Sequence, residues 1–549
     1  FFINKKKGNK KMNHNEFGAK LAKETLTGDI AAFLIDRLRQ FPKPYQQMSE
    51  TEQGEQIEMA KTAARELVSK AVGIVASGGR KTVQAELGKI TVDKGLKCEI
   101  KASVAYADEL IAVAGGKAYN ITTAKEVKAY EDVSFGRSNC QICQYRDRLY
   151  FVNGTDTPKA FYVDEGGSDV FGDWGFTSDE ESFSPQKIIN ATVSKERLWF
   201  VEKGSLKVWY AENAGEVQGK LKQFDLQYVA KHGGELVAVA NWTQDGGQGI
   251  DDLTVFITSE GECLVYSGTD PGNAGLWALK GSYIMSKPIG YKCVMQYQGD
   301  IVMISEDGYV PLSKALPIDK ANASQIAFSD KIRGLVLDRA KNNRSREGWQ
   351  GIIYGRGGYA LFNVPVYNQF EQHVINLNTG AWCRFTNIRS FCWAIFLDRA
   401  YFGSDKGVYL FDEGYSDNGL HIFGVVKQAF SDLGNPNLKK IQMLNPRTKS
   451  STKYALVIYT DMDFESREVA YRENIGSSGG SKWDVSPWSS LANPIGTKWS
   501  TLQGKIRSQW IANAATGFKA SVVFKTKTRG NLIEWFDTGV RYEAGSGIV

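Results

Sequence analysis

The sequence predicts a mainly β protein: a β-propeller-like body, a C-terminal β-sandwich-like domain and a small N-terminal α+β module. Two observations carry the propeller. A hairpin phrase recurs seven times, starting at Leu110, Leu149, Leu198, Val255, Ile301, Leu361 and Tyr401, always as an apolar strand, a turn and an aromatic-rich strand. Its copies stand 39 to 60 residues apart, the scale of one four-stranded blade. The third observation is composition, with 56 glycines and 12% aromatic residues in 549, which suits a turn-rich β fold.

From the N-terminus, residues 1–11 (FFINKKKGNKK) show no periodicity and precede Met12. They read as translated upstream sequence or a disordered tail, since Lys-Lys-Gly can be encoded by the purine run of a bacterial ribosome-binding site. Residues 12–105 form the α+β module. Ile30, Phe33, Leu34 and Leu38 recur at helical spacing up to Pro42 and Pro44. Ser49-Glu50-Thr51-Glu52 is a capping box for a second helix, which carries Ile57, Ala60, Ala64, Leu67, Val68, Ala71 and Ile74 on one stripe and stops at Gly78-Gly79. Short strands are expected over 82–87, 90–92 and 96–104.

The propeller-like body is expected over residues 108–430. Gly116, Gly204, Gly261, Gly308 and Gly407 occupy the turns of its hairpins, where a tight connection needs positive φ. Leu149 and Phe151, like Leu198 and Phe200, alternate along their strands and should face a core, with Tyr150 and Trp199 facing another sheet or subunit. The last domain, 431–549, is expected to hold strands over 455–459, 518–525 and 532–536. Trp483, Trp488, Trp499 and Trp510 read as its core filling, and Glu465 marks the end of the strand ahead of the tryptophan-rich loop.

Charge excludes a strongly basic nucleic-acid binder. The formal charge is +6, but five lysines lie within residues 5–11, and without them 62 basic residues face 61 acidic ones. Seven scattered cysteines have no disulfide-framework spacing and fit a reducing cytoplasm at folding. Cys140 and Cys143 are read as core residues, because no second pair completes a zinc site. No segment reaches the roughly 18 apolar residues of a membrane helix, so no stable membrane insertion is expected.

No catalytic, metal or cofactor-binding residue is expected, and nucleic-acid-binding residues stay unassigned. The four histidines, His14, His232, His373 and His421, have no ligand spacing and read as structural or solvated. The Asp245–Asp252 segment places glycine where a calcium loop wants oxygen ligands, and Tyr354–Tyr359 opens no helix, so both read as turns. Ser305-Glu306-Asp307-Gly308 and Ser404-Asp405-Lys406-Gly407 resemble the aspartate turns of sialidase propellers in a few residues, without the Thr-Trp of that motif. An enzyme is not expected.

A more specific resemblance runs from Ile111 to the C-terminus. The phrases AVAGGKAYNIT, YRDRLYFVNGTDTPKAF, SKERLWFVEKGSLKVWY, DDLTVFITSEGECLVYSGTDPGNAGLWAL, GDIVMISEDGYVPLS, NLNTGAWCRF, RAYFGSDKGVYLFDEG, WDVSPW and IEWFDTGVRYEAGSGIV resemble the tail nozzle, or tail tubular, proteins of short-tailed bacteriophages (podoviruses) and related propeller tail hubs. The resemblance implies a virion structural protein made in the host bacterial cytoplasm. It would form a homo-oligomeric ring, a hexamer, around the exit channel through which double-stranded DNA passes during genome ejection. Partners would be tail adaptor or portal-associated proteins on one side and tail fibre or plug proteins on the other. The alternative is a glycan-binding, receptor-binding adhesin of a phage tail. Leu26–Gln53 resembles uncharacterised early-region phage proteins, from which no function follows. Family members usually open with a Gly-Trp-Asn-like β segment, which is missing here. The sequence therefore predicts a blade left open unless the C-terminal region or a neighbouring subunit closes it.

Overall fold

The computed structural model describes residues 80–82, 100–106, 109–123, 126–164, 168–245, 250–315, 327–405, 407–450, 454–469 and 505–545. The expectations for residues 1–79, including both helices of the α+β module, lie outside these residues. So do Trp483, Trp488 and Trp499.

Seven antiparallel sheets follow one another between Ile100 and Phe411. Blade 1 is Ile100–Tyr106, Glu109–Ala114, Lys117–Thr123 and Glu126–Tyr130, and blade 2 is Gln141–Tyr145, Arg148–Val152, Lys159–Val163 and Asp169–Asp173. Blade 3 is Ile188–Ser194, Arg197–Glu202, Lys207–Ala211 and Gly219–Asp225, with Phe176–Thr177 added in parallel at its outer edge. Blade 4 is Leu236–Asp245, Ile250–Thr258, Glu262–Gly268 and Trp277–Ile284. Blade 5 has Val294–Tyr297, Asp300–Ser305 and Gly308–Pro311, and blade 6 has Gln350–Tyr354, Tyr359–Val366, Gln369–Asn376 and Trp382–Thr386. The first strands pack side by side around an axis, and that of blade 7, Cys392–Phe396, packs on that of blade 1. The ring is therefore closed, and the fold is a seven-bladed β-propeller.

All seven predicted hairpins are the second and third strands of the seven blades. Their turn glycines, at 116, 204, 261, 308 and 407, all hold positive φ, between 76° and 152°. At Gly261 the need is absolute, because a Cβ there would stand 2.4 Å from the Met285 carbonyl oxygen. The Ser305–Gly308 and Ser404–Gly407 segments are likewise hairpin connections, closed by Ser305 Oγ on the Gly308 carbonyl at 2.9 Å and by Ser404 N on the Gly407 carbonyl at 2.9 Å.

Two boundaries differ from the sequence reading. Ile100–Tyr106, assigned there to the N-terminal module, is the inner strand of blade 1. Blade 7 also is not open. Its three strands Cys392–Phe396, Arg399–Gly403 and Val408–Phe411 are completed by Arg80–Thr82, which pairs antiparallel with Arg80 opposite Phe411 and Thr82 opposite Tyr409. The strand that closes the ring comes from this chain's own N-terminal side, neither from the C-terminal region nor from a neighbour. At the other end, Ile422–Lys427, placed in the body by sequence, pairs with Ala520–Thr528 of the C-terminal domain.

That domain is two sheets, Ile422–Lys427, Ala520–Thr528 and Ala455–Met462 against Lys439–Ser450, Lys505–Ser508, Ile511–Gly517 and Ile533–Ala544. Ile441 and Leu444 of one meet Ile458, Val522 and Phe524 of the other, and Phe524 stacks on Trp535 at 4.9 Å. Trp510, expected in this core, is 46% exposed. Beyond residue 110 the described α-helices are Leu312–Ala315 and Arg333–Asn343. The second packs Val336 and Ala340 into the core between blades 5 and 6.

Apolar layers fill every gap between blades. Leu149 and Phe151 face blade 1, whereas Tyr150 faces blade 3 and meets Leu198 and Phe200 there, and Trp199 turns to blade 4. A middle strand is thus buried on both faces, which is why its whole run is apolar. Phe200 is fully buried against Trp174, Phe176 and Tyr150. Phe200→Ala should cost about 3–5 kcal/mol in urea unfolding. A loss below about 1 kcal/mol would contradict this packing.

Candidate functional site at the propeller axis

Two clusters of charged groups lie within the propeller, one between blades and one at the axis. The first is Tyr309, His373, Glu371 and Arg339. Tyr309 Oη donates to His373 Nδ1 at 2.8 Å, the other ring nitrogen donates to Glu371 Oε1 at 3.0 Å, and Arg339 Nε donates to the same oxygen at 2.7 Å. Burial is the largest influence on His373 and pulls its pKa below 6.5, so the ring is neutral and its proton sits on Nε2. Burial would raise Glu371, but the bonds from His373 and Arg339 outweigh it and hold the carboxylate at about 2. Tyr309 and His373 are both 0% exposed, so no substrate reaches them. The relay couples the helix Arg333–Asn343 to blades 5 and 6.

His232 also has a defined partner. Its Nδ1 lies 3.3 Å from Glu262, a fully buried carboxylate that also accepts from the Lys231 and His232 amides at 2.9 and 3.1 Å and from Ser282 Oγ at 2.6 Å. The arrangement pins a loop and leaves Glu262 no vacant oxygen for chemistry.

The axial cluster forms where the first strands begin. Arg137 precedes the inner strand of blade 2, Lys292 that of blade 5 and Glu347 that of blade 6, while Cys392 opens that of blade 7. Arg137 pairs with Glu347 across the axis, 210 residues away in sequence. The NGTD turn of blade 2 positions Arg137. Asn153 Oδ1 accepts from the Thr155 and Asp156 amides at 3.0 and 2.9 Å, Asn153 Nδ2 donates to the Arg137 carbonyl at 3.0 Å, and Asp156 Oδ2 accepts the Gly136 amide at 2.6 Å. Gly136 allows that approach, since a Cβ there would meet Asp156 Oδ1 at 2.7 Å.

Lys292 is half-buried and lies near enough to Cys392, Cys140, Glu347 and Arg137 to feel their charge. Burial pulls its pKa down, with Cys392, Cys140 and Glu347 opposing and Arg137 assisting the fall. The thiol of Cys140 is pushed up to about 12 by burial and that of Cys143 likewise to about 12, so neither is a thiolate nucleophile at neutral pH. Both are buried, as the sequence reading expected. Among the described residues no group of three or more His, Cys, Asp or Glu could hold a metal ion. None of their helices is long and apolar enough to cross a membrane.

Sequence reasoning missed the axial cluster, because its members meet only when the ring closes. Their one shared signal is position, a few residues ahead of a blade's first strand.

No family model and no curated protein matches the chain. Among solved structures it is similar to the β-propeller domain of Cps50 (Swd1) from Myceliophteria thermophila, with 9% identity over 57% of this chain and 83% of that one at a TM-score of 0.27. It is also similar to Hsv2p of Kluyveromyces lactis, with 11% identity over 51% and 83% at 0.27, and to the N-terminal domain of Nup159, with 12% identity over 52% and 76% at 0.27. The propeller assignment rests on the strand pairing above.

The Glu371 geometry fixes an acid response. A carboxylate held below its ordinary value of 4.5 stabilises the fold fully above that value and loses this contribution as pH falls towards about 2. Glu371→Gln should lower stability at pH 7, by leaving Arg339 only its ion pair with the exposed Asp338, and should flatten the decline between pH 5 and 3 in urea midpoints. An unchanged decline would remove Glu371 from the acid response.

Proposed function

We propose that this chain is a structural subunit of a bacteriophage tail, a nozzle or hub that forms a ring around the DNA exit channel. The observation that carries this reading is the resemblance itself, spread over blade after blade: AVAGGKAYNIT lies in blade 1, YRDRLYFVNGTDTPKAF in blade 2, SKERLWFVEKGSLKVWY in blade 3 and GDIVMISEDGYVPLS in blade 5. In blade 2 the resembling phrase includes the Asn153–Asp156 turn that holds the axial loop. The residues that carry the likeness thus build the scaffold.

In this reading the DNA does not pass along the propeller's own axis, which the Arg137–Glu347 pair crosses. It passes through the space that several copies enclose. A conduit gains from near-neutral charge, since each neutralised phosphate adds affinity that resists ejection. Exposed apolar side chains on the C-terminal domain, among them Val425, Phe464, Ile506, Phe518 and Phe536, suit burial between subunits or against a tail partner.

The test is to locate the chain in purified particles by electron cryomicroscopy. The proposal expects an axial ring of six copies. A peripheral fibre or a trimeric spike would overturn it and favour the receptor-binding adhesin.

A further inference from the structure

The helix Arg333–Asn343 turns Val336, Ala340 and Asn343 into the protein and carries a concentrated positive charge outside. Residues 330–346 hold six basic side chains, Lys331, Arg333, Arg339, Lys341, Arg344 and Arg346, against the acidic Asp330 and Asp338. Arg339 is held by Asp338 and Glu371, and Arg344 by Glu306, which leaves Lys331, Arg333, Lys341 and Arg346 without an acidic partner among the described residues. Arg333, Lys341 and Arg344 stand at i, i+8 and i+11, so 3.6 residues per turn puts them on one flank, and all three are exposed. That flank is about 17 Å long at 1.5 Å per residue, the axial length of roughly five phosphates of one nucleic-acid strand. Beside its C-terminal end the second hairpin of blade 6 raises Tyr367, 67% exposed and at φ 51°, a conformation that costs a bulky side chain energy. Its amide donates to Asn343 Oδ1 at 3.1 Å, its carbonyl accepts from Arg346 Nη1 at 2.6 Å, and the Arg346 guanidinium lies 5.6 Å from its ring centroid. An aromatic ring is thus held in solvent next to the basic flank, at a turn position that Gly or Asn would fill without strain.

A row of cations and an exposed aromatic ring are the two elements that single-stranded nucleic acid uses, one for its phosphates and one for an unpaired base. A duplex, whose bases are already stacked, answers only the first, and so does an acidic protein surface. We propose that this surface binds single-stranded nucleic acid, with Arg333, Lys341 and Arg346 on its phosphates and Tyr367 stacking a base. The near balance of the whole chain, 62 basic against 61 acidic residues beyond residue 11, does not oppose the contact, because the excess is local. A few phosphate contacts give a weak affinity that salt readily abolishes. The inference is independent of the tail reading, for it uses only the helix and the hairpin of blade 6.

The experiment is fluorescence anisotropy of the full chain with labelled oligothymidine about 15 nucleotides long, and with a duplex of the same length, at about 50 and 200 mM salt. The single strand should bind more tightly than the duplex. Arg333→Gln with Lys341→Gln should weaken the single strand about tenfold at the lower salt and reduce the slope of log K against log salt by roughly 1.4, for two lost phosphate contacts. Tyr367→Asn, which suits the left-handed turn and removes the ring, should melt no lower than the parent, weaken the single strand about tenfold and leave the duplex unchanged. Lys187→Gln with Lys203→Gln, two exposed lysines beside blade 3, should leave binding as it is. The proposal is overturned if oligothymidine does not bind, which would return the basic flank to an acidic protein partner, or if the duplex binds as tightly. It is overturned equally if the helix double variant binds unchanged, since the lysines within residues 5–11 would then carry the affinity, or if the blade 3 control loses as much as the helix variant. Thermal melting of each variant, read alongside, separates lost binding from lost folding.

Discussion

Closure of the ring is the constraint on which the rest of the structure depends. A blade cannot bury both faces alone; each depends on two neighbours, and only a closed circle gives every blade two. The layers run without a gap from Ile111 against Leu149 between blades 1 and 2 to Leu110 and Ala112 against Ala394 and Phe396 between blades 1 and 7. An open seam would expose one such layer to water, and at roughly 25 cal/mol per Å² a single large side chain there costs about 1.5–3 kcal/mol. The three residues Arg80–Thr82 therefore matter more than their length suggests, because they complete the outermost strand of the seam blade.

Near the axis, where strands converge and side chains have less room, polar stitches replace apolar packing. Gln141 Nε2 donates to the Ala191 carbonyl at 3.1 Å and its Oε1 accepts the Ala191 amide, joining blade 2 to blade 3. Gln350 repeats the device on Trp393, joining blade 6 to blade 7, with bonds of 3.0 and 3.0 Å. Thr192 Oγ1 reaches the Val239 carbonyl at 2.8 Å between blades 3 and 4, and Gln296 reaches the Asn241 carbonyl at 2.7 Å between blades 5 and 4. A glutamine amide can satisfy both backbone groups of a neighbouring residue at once, so it fixes the offset between blades as well as their contact. The Arg137–Glu347 pair extends the same logic across the axis.

The middle hairpins were legible because their information is local. A positive-φ glycine between two apolar, aromatic-rich strands identifies itself, and blade-scale spacing supplies the architecture. The first strands were harder to see, since Gln141–Tyr145 and Val294–Tyr297 are short and carry polar residues that serve the stitches. Arg80–Thr82 was invisible as a blade strand because its partner lies more than 300 residues away and its role is to pair backbone. The helix Arg333–Asn343 escaped because few of its residues, Val336 and Ala340 among them, face the core and no apolar stripe announces it. Trp510 was misplaced for the opposite reason, as aromatic character alone does not say which face of a sheet is covered. Of the axial cluster, the sequence displayed only Cys140, whose thiol burial makes unreactive; Arg137 and Glu347 look ordinary until ring closure brings them together.

The most direct test of this account is the seam itself. In the pairing described, Lys81 lies opposite Leu410. In a background with the seven native cysteines replaced, Lys81→Cys with Leu410→Cys places two thiols on directly opposed residues, within disulfide reach of about 4.4–6.8 Å between Cα atoms. Mild oxidation followed by peptide mass spectrometry should yield the 81–410 linkage within a single chain, at monomer concentrations too low for intermolecular pairing. Free thiols at both positions, or linkage found only between chains, would contradict self-closure and return the open blade to a neighbouring subunit.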